Sequence, residues 1–579
     1  MSFSLFSFNS KHKKQQITKK HKQSKIHKNR TRAKPSFKTR TRLSKSKPLK
    51  PLIPKANNLS LSIINSFYEF TNPFITYLIN YNDYNSIALE RNVFYNINLY
   101  DNYSLPLLES NYYLIDKSYE IQKKLENKLL TESRLKTIPT NIKYATEDLT
   151  RGLSKFISLS YSNSLPLPTV SNAFIKLWEI LTLFDIISER ERNIQDRTSY
   201  NNNISFTQNP SNVFRVFHMC EAPGQMILGC KYFTDTKRKH ITDYEWIANS
   251  LNPNNKINTI KYGVPLGDSY KLMKNNPSKW LWGIDNTGDI TNVNNIKWFR
   301  NNIHKHIINN DTKTDTDTKN PKPTPMLNLI IGDGGLGTGN DTLALQKLDL
   351  AQVIMVLACS SIGGSCIIKH FTPYVSNHPE TIKASSFFIS LLYLYYVAFD
   401  EIILHKPYSS NMDSGEFYVI GKGFKGVPEH GINNLYKSLN KFKVNNAILD
   451  VEHIPETFKI QITAFIAKMC QYNIKGIDKT NLLLSCYLGI DLDIDKPEHL
   501  ADAKQTEQPE QAEKQQHLGI DPELDLYIEY LEQPEHKKNI KKLNKTKNKM
   551  VCDKFLDANK IENILTPRYN AWIKLFKFE

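Results

Sequence analysis

The chain lacks the features typical of disulfide-bonded, metal-binding or membrane-spanning proteins. Its 579 residues include only seven cysteines. None of them forms a CxxC pair, and no group of His and Cys has the spacing of a zinc site. No run of 18 apolar residues occurs, and nothing resembles a secretory signal. We therefore expect a soluble intracellular protein with reduced thiols, no metal and no membrane partner.

Acidic residues are missing from the start of the chain. Residues 1–55 contain 18 Lys or Arg, and the first acidic residue is Glu69. The remainder carries 58 basic and 57 acidic side chains, so the net charge of +19 belongs almost wholly to this tail. Such a polar, self-repelling stretch predicts a disordered tail at 1–58, with a charge suited to binding nucleic acid. The alternatives are a nuclear or nucleolar address, or a mitochondrial presequence, although Lys and His outnumber Arg and no amphipathic period is visible.

Composition divides the rest of the chain into five segments. Residues 59–165 are mixed and partly helical, and 166–427 alternate strands and helices, as in an α/β fold with a mainly parallel sheet. Residues 428–490 look helical and apolar, 491–548 form a charged low-complexity linker, and 549–579 are aromatic and basic. Within the α/β segment we predict strands at 213–219, 327–332, 364–371, 401–406 and 416–421, and helices at 172–189, 342–358 and 383–398.

The glycine-rich phosphate loops of nucleotide-binding proteins are also missing where they would be expected. Strand 213–219 leads into "CEAPGQ", which has neither the GxGxxG fingerprint nor the GxxxxGK[ST] phosphate cradle. These absences count against a dinucleotide or ATP, and so against a dehydrogenase. A single glycine beside the carboxylate of Glu221 suits a ligand with a cation and no phosphate, such as the methionine moiety of S-adenosylmethionine. An ordinary tight turn between strand and helix is the alternative.

Single charged residues occur where predicted strands begin or end. Asp333 follows strand 327–332, and such a position lies in the ligand crevice of a parallel sheet. Lys369 comes near the end of the next apolar strand, where a lone charge is costly. Glu416 starts a later strand, and Lys176 lies in the helix before the first one. Each has a structural explanation, for example a helix-capping Asp or a snorkelling Lys, but together they form an acid–base–acid series along adjacent strands.

The order Lys176, "CEAPG", Asp333, Lys369, Glu416 resembles the Lys-Asp-Lys-Glu tetrad of the FtsJ-like (RrmJ-type) ribose 2'-O-methyltransferases. Three further stretches, "WLWGIDNTGDITNVNNI", "IIKHF" and "KPYSSNMDSGEFYVIGKGF", are similar to the adrift-type cap-specific mRNA methyltransferases and their relatives in large DNA viruses. The resemblance covers residues 166–427. It implies a Rossmann-like S-adenosylmethionine-dependent methyltransferase sheet with helical flanking regions.

The resemblance also implies roles for individual residues. Lys369 would be the general base toward the ribose 2'-hydroxyl, with Asp333 and Lys176 beside it and Glu416 orienting the cluster. The chain departs from the family at Asn411, where relatives often carry an Arg that Asn411 cannot replace in charge. The implied S-adenosylmethionine-binding residues are Glu221, Pro223, Gly224, Gln225, Asp285 and Asp333, with Asp289 as a second candidate for the adenosine moiety.

These observations predict an RNA ribose 2'-O-methyltransferase that acts on cap-proximal nucleotides of mRNA. The viral resemblance implies action in host cytoplasm, in a viral factory or in the virion, with the nucleus left open. A ribosomal or transfer RNA methyltransferase and a non-catalytic RNA-binding subunit are the alternatives, and the intact tetrad argues against the second. Since an ordinary lysine has a pKa of about 10.4, we expect burial or a nearby cation to favour neutral Lys369, the cation being Lys176 or the sulfonium of the methyl donor.

Overall fold

The computed structural model describes the α/β region and parts of the flanking segments. The predicted basic tail at 1–58 and the linker at 491–548 lie outside the described residues. Among the described residues, no helix is long and apolar enough to cross a membrane. The described residues are 75–78, 93–100, 109–132, 152–163, 165, 169–187, 213–262, 267–311, 327–335, 342–373, 381–488, 566 and 569–578.

Within these residues, eight strands form one sheet with helices around it. The strands are β1 (Ile75–Leu78), β2 (Val213–Met219), β3 (Asp243–Asn249), β4 (Trp280–Leu281), β5 (Leu329–Gly332), β6 (Ser365–Phe371), β7 (Phe399–Lys406) and β8 (Glu416–Phe424). The helices are α1 (Glu109–Glu132), α2 (Leu153–Ser160), α3 (Asn172–Leu183), α4 (Gln225–Lys237), α5 (Lys256–Tyr262), α6 (Leu272–Asn275), α7 (Val293–Asp311), α8 (Thr342–Cys359), α9 (Thr381–Ala398), α10 (Glu429–Asn440) and α11 (Glu456–Leu488). Residues 569–575 are helical as well.

The strand order is β1-β7-β8-β6-β5-β2-β3-β4. Strands β4, β3, β2, β5 and β6 pair in parallel, whereas β8 is antiparallel to both β6 and β7, and β1 adds an antiparallel edge. The sheet is therefore mixed, and the fold is the α/β, Rossmann-like methyltransferase type that the resemblance implied. The chain leaves β2 toward β3 and later returns on its other side as β5. This change of direction opens a crevice at the carboxyl ends of β2 and β5, where such folds bind ligands.

Alternating side chains divide the core into one apolar layer on each face of the sheet. Phe217, Phe417 and Val419 face the layer that includes α7, α8 and α9. Val216 and Tyr418 face the opposite layer, which includes α3, α4 and residues 569–578. This is the period of two expected for strands buried on both faces.

The predicted strands agree with the structure to within a few residues, and β2 matches its predicted bounds. The helix predicted at 172–189 is shorter in the structure, where α3 ends at Leu183. Two residues later, Asp185 has φ of 44°. That left-handed conformation interrupts a helix. Helix α1 lies in the region predicted to be partly helical, and α10 and α11 lie in the predicted helical extension. Strands β1, β3 and β4 and helices α4 and α7 were not predicted.

Candidate active site

The four predicted catalytic side chains converge at one edge of the sheet. Lys176 lies on α3, Asp333 directly follows β5, and Lys369 is near the end of β6. Strand β8 runs in the opposite direction, so its first residue, Glu416, lies at the same edge, paired in register with Phe371. The reversal of β8 thus brings together residues that are 240 positions apart in the chain.

Two ion pairs make up this cluster. The Nζ atom of Lys369 lies 2.9 Å from Oδ1 of Asp333 and donates a hydrogen bond of 3.0 Å to the Asp333 carbonyl oxygen. Lys176 Nζ donates to Oε1 of Glu416. The four side chains are 12–24% exposed, so both pairs are largely removed from water. Few charges remain buried without such partners.

The two pairs influence each other's ionisation. Burial lowers the pKa of Lys369, but Asp333 and Glu416 outweigh this effect, and the pKa lies above its ordinary value of 10.5. Burial raises the pKa of Glu416, yet Lys176 and Lys369 bring it down to about 2. Burial and Lys176 therefore do not make Lys369 neutral in this arrangement, so that part of the expectation is wrong. Lys176 is paired with Glu416, and the direct contact with Asp333 favours the ammonium form.

Tyr418 and Ser410 support the two carboxylates of the cluster. Tyr418 Oη donates to Oδ1 of Asp333 at 3.2 Å, the same oxygen that contacts Lys369. Ser410 Oγ donates to Oε1 of Glu416 at 2.8 Å. Sequence reasoning missed both residues. Because Tyr418 lies two residues after Glu416 on β8, the alternation of side chains along a strand could have suggested that they share a face.

Lys406 is a further cation beside Glu416 that the sequence did not single out. Its Nζ donates to the carbonyl oxygens of Ser414 (2.6 Å) and Glu416 (3.0 Å) and contacts Ser410 Oγ at 3.2 Å. Burial lowers the pKa of Lys406 to about 7, although Glu416 opposes the shift. A charged residue at the end of the apolar run "EIILHK" was the available signal.

The turn after β2 lies next to this cluster. Cys220 and Gly224 both have positive φ, 57° and 113°, and the Ala222–Pro223 peptide bond is cis. A Cβ added at Gly224 would lie 2.3 Å from Cδ1 of Leu272, so only glycine fits without movement. Burial raises the pKa of the Cys220 thiol to about 12, and Lys369 is the main opposing charge. Lys369 is therefore close enough to the turn for its charge to act on Cys220.

Glu221 and Gln225 are buried and each is partly engaged within the protein. Glu221 Oε1 accepts from the backbone N–H groups of Met226 (2.7 Å) and Ile227 (3.2 Å), and so caps α4. Gln225 Oε1 accepts from the N–H of Ser171 at 2.8 Å. Gln225 Nε2 has no hydrogen-bond partner among the described residues, and Glu221 Oε2 has only His218 Nδ1 nearby, at 3.7 Å and so beyond hydrogen-bond distance. The turn can thus offer an acceptor and a donor to a ligand, as the ammonium and carboxylate of S-adenosylmethionine require.

The loop after β4 places the two predicted aspartates differently. Asp285 is exposed and accepts from both N–H and Oγ1 of Thr287, so it orders the loop itself. Asp289 is 9% exposed, accepts from Tyr262 Oη at 2.7 Å, and is close enough to Cys220 to raise the pKa of that thiol. Burial raises the pKa of each aspartate, but hydrogen bonds outweigh it and hold both below their ordinary value. Of the two aspartates, Asp289 is therefore the one whose charge acts on the turn after β2.

In the part of the chain that the structure describes, no group of three or more His, Cys, Asp or Glu side chains could hold a metal ion. The charges of the site are instead carried by lysines and carboxylates.

Comparison with known proteins finds methyltransferases among the relatives of this chain. No protein-family model matches the chain. An uncharacterized protein of Acanthamoeba polyphaga mimivirus is 28% identical over 54% of this chain and 33% of its own length. A probable methyltransferase of African swine fever virus is 27% identical over 50% of this chain and 56% of its own. The mouse cap-specific mRNA (nucleoside-2'-O-)-methyltransferase 2 is 26% identical over 36% of this chain and 24% of its own. The chain is a homologue of the viral probable methyltransferase and of the mouse cap-specific methyltransferase.

The homology is partial on both sides. The chain spans between about a quarter and about half of the lengths of these three relatives. The names of the viral and mouse proteins refer to those whole proteins, and this chain matches only a part of each. A methyltransferase homologue implies a methyl donor.

Proposed function

We propose that this chain transfers a methyl group from S-adenosylmethionine to a ribose 2'-hydroxyl of RNA, at cap-proximal nucleotides of mRNA. The observation that carries the proposal is the convergence of Lys176, Asp333, Lys369 and Glu416 beside the turn after β2. Homology to a cap-specific mRNA 2'-O-methyltransferase supports the choice of substrate. No second function is favoured by a specific observation.

In this reaction the protein has to position the ribose hydroxyl and accept its proton. Lys369 Nζ is the group placed to take that proton, and Asp333 fixes it through two contacts. S-adenosylmethionine, when bound, supplies an electrophilic methyl group on a sulfonium whose positive charge lowers the pKa of a nearby lysine. The Lys176–Glu416 pair holds a second cation and anion beside the base, so the titration belongs to the cluster as a whole.

The turn after β2 would hold the methyl donor. Gly224 permits close approach of the backbone, while Glu221 Oε2 and Gln225 Nε2 are the buried polar atoms left for the amino-acid part of the donor. Asp289 would serve the adenosine side. Asp285 would be the alternative for this contact, because both carboxylates accept four internal hydrogen bonds and Asp285 is the more exposed of the two.

The experiment that tests the proposal uses purified protein, radiolabelled S-adenosylmethionine and short RNAs that differ only at the 5' end. The three ends are a cap, a cap followed by a 2'-O-methylated first nucleotide, and a triphosphate. Nuclease digestion then locates the label. We expect label on a cap-adjacent ribose. Label in uncapped RNA alone would keep the enzyme class and overturn the cap assignment, and no label on any RNA would favour a binding subunit.

Lys369→Ala is the matched control for this assay. Loss of a general base costs about 10²- to 10⁴-fold in rate, so transfer should disappear while S-adenosylmethionine binding, measured by calorimetry, stays nearly unchanged. A variant that loses binding but retains transfer would show that Lys369 is not the base.

A further inference from the structure

The aromatic segment 569–578 packs against α3, the helix that carries Lys176. Trp572, Phe576 and Phe578 are almost fully buried. The rings of Phe578 and Trp178 have centroids 4.8 Å apart, and Trp178 Nε1 donates to the carbonyl oxygen of Phe576 at 2.9 Å.

Glu179 connects this segment to the loop between β7 and β8. Its carboxylate is fully buried and accepts three hydrogen bonds. Oε1 accepts from Trp572 Nε1 at 2.6 Å and from the N–H of Ser409 at 3.0 Å, and Oε2 accepts from the N–H of Tyr408 at 2.8 Å. A buried carboxylate is tolerated only with such partners, so the loop backbone and the Trp572 indole share one anchor.

The anchored loop leads directly to the site. Ser410, the next residue after Ser409, donates to Glu416 Oε1, which also accepts from Lys176. Lys176 lies three residues before Glu179 on α3, about one helical turn away. The contacts therefore form a closed ring: Trp572 to Glu179, Glu179 to the loop, the loop to Glu416, and Glu416 back to α3.

We propose that Trp572 and Glu179 are positioning residues for the methyl-transfer cluster. Together they fix the 408–410 backbone so that Ser410 holds Glu416 against Lys176. This inference rests on the proposed function for its catalytic consequence, but the positioning of the loop can be measured without it. Burial raises the pKa of Glu179 to about 7 although the indole and both loop N–H groups oppose the shift, so the carboxylate depends on these donors.

Trp572→Phe tests the inference because it keeps an aromatic ring and removes the Nε1–H donor. Loss of one hydrogen bond to a buried carboxylate should lower kcat by roughly tenfold and leave KM for both substrates within about twofold. Deuterium exchange at the amides of Tyr408 and Ser409 should become about tenfold faster. Glu179→Gln, which keeps one acceptor oxygen, should have a smaller effect than Glu179→Ala.

Phe578→Leu is the matched control. It loosens the same segment against Trp178 and Trp572 but keeps the indole N–H that donates to Glu179. We expect a comparable fall in Tm for Phe578→Leu, with kcat and the two loop amides unchanged. Equal losses of kcat in both variants, in proportion to Tm, would overturn the inference in favour of general stability.

The two proposals can fail separately. If the wild-type chain methylates no RNA, the proposed function fails, and the exchange measurement still decides the positioning role. Faster exchange at Tyr408 and Ser409 in Trp572→Phe alone would support that role. Unchanged exchange would overturn it, whatever the activity.

Discussion

Asp333 and Glu416 both favour the ammonium form of Lys369, and Asp333 is the one in direct contact with it. Because Asp333 helps to raise the pKa of Lys369, the neutral amine is a small fraction at neutral pH, and kcat/KM should rise about tenfold per pH unit below that pKa. Asp333→Asn keeps a hydrogen-bond acceptor and removes the charge. We expect its rising limb to lie at lower pH than that of the wild type, in initial rates measured from pH 6 to 10. Superimposable profiles would mean that another group controls the limb.

The buried Lys406 should make the free energy of unfolding depend on pH. Its pKa is about 7 in the folded protein, against 10.5 ordinarily, because burial disfavours the ammonium form. Between these values the unfolded chain binds a proton that the folded protein does not, so this lysine makes folding more favourable as pH rises. The free energy of unfolding of the wild type relative to Lys406→Met should increase by roughly 2 kcal/mol from pH 7 to 9. A difference independent of pH in urea titrations would contradict the assignment.

At the scale of secondary-structure elements, the turn between β2 and α4 depends on Gly224. Gly224→Ala should lower the free energy of unfolding by about 1–3 kcal/mol, since φ of 113° is strained for alanine, and should weaken S-adenosylmethionine binding. Leu272→Ala removes the side chain that the new Cβ would meet. Combining the two changes should restore only part of the stability. Full recovery in denaturant titrations would show that the contact, and not the backbone conformation, governs the turn.

The strands that were predictable from sequence are those with long apolar runs. Strands β2, β6 and β8 have such runs and begin or end near charged residues, and the family resemblance then singled out the tetrad among these charges. Strand β3 begins with the polar residues "DYE", and β4 has only two residues, so neither has a clear period. Local patterns also contain nothing about the Glu179–Trp572 contact, which joins residues 393 positions apart. Residues that position the charged side chains are therefore harder to predict from the sequence than the charged residues themselves.

For the whole molecule, the distribution of charge distinguishes the tail, residues 1–55, from the rest of the chain. The 18 basic residues of 1–55 contrast with a nearly neutral remainder, so the tail supplies most of the long-range attraction to a polyanion. The site itself holds lysines already paired with carboxylates, and Asn411 adds no positive charge. Affinity for RNA and chemistry on RNA should therefore reside in different parts of the chain.

Deleting residues 1–55 tests this division. The logarithm of affinity for single-stranded RNA falls with the logarithm of salt concentration by about 0.7 per phosphate contacted. The deletion should weaken RNA binding at low salt and flatten this slope, while kcat at saturating RNA changes little. A full-length variant with the basic residues of the tail replaced by Gln controls for length and should behave like the deletion. An unchanged slope in fluorescence titrations from 50 to 300 mM salt (about a sixfold range) would assign the tail to targeting, because its charge would then make no contact with RNA.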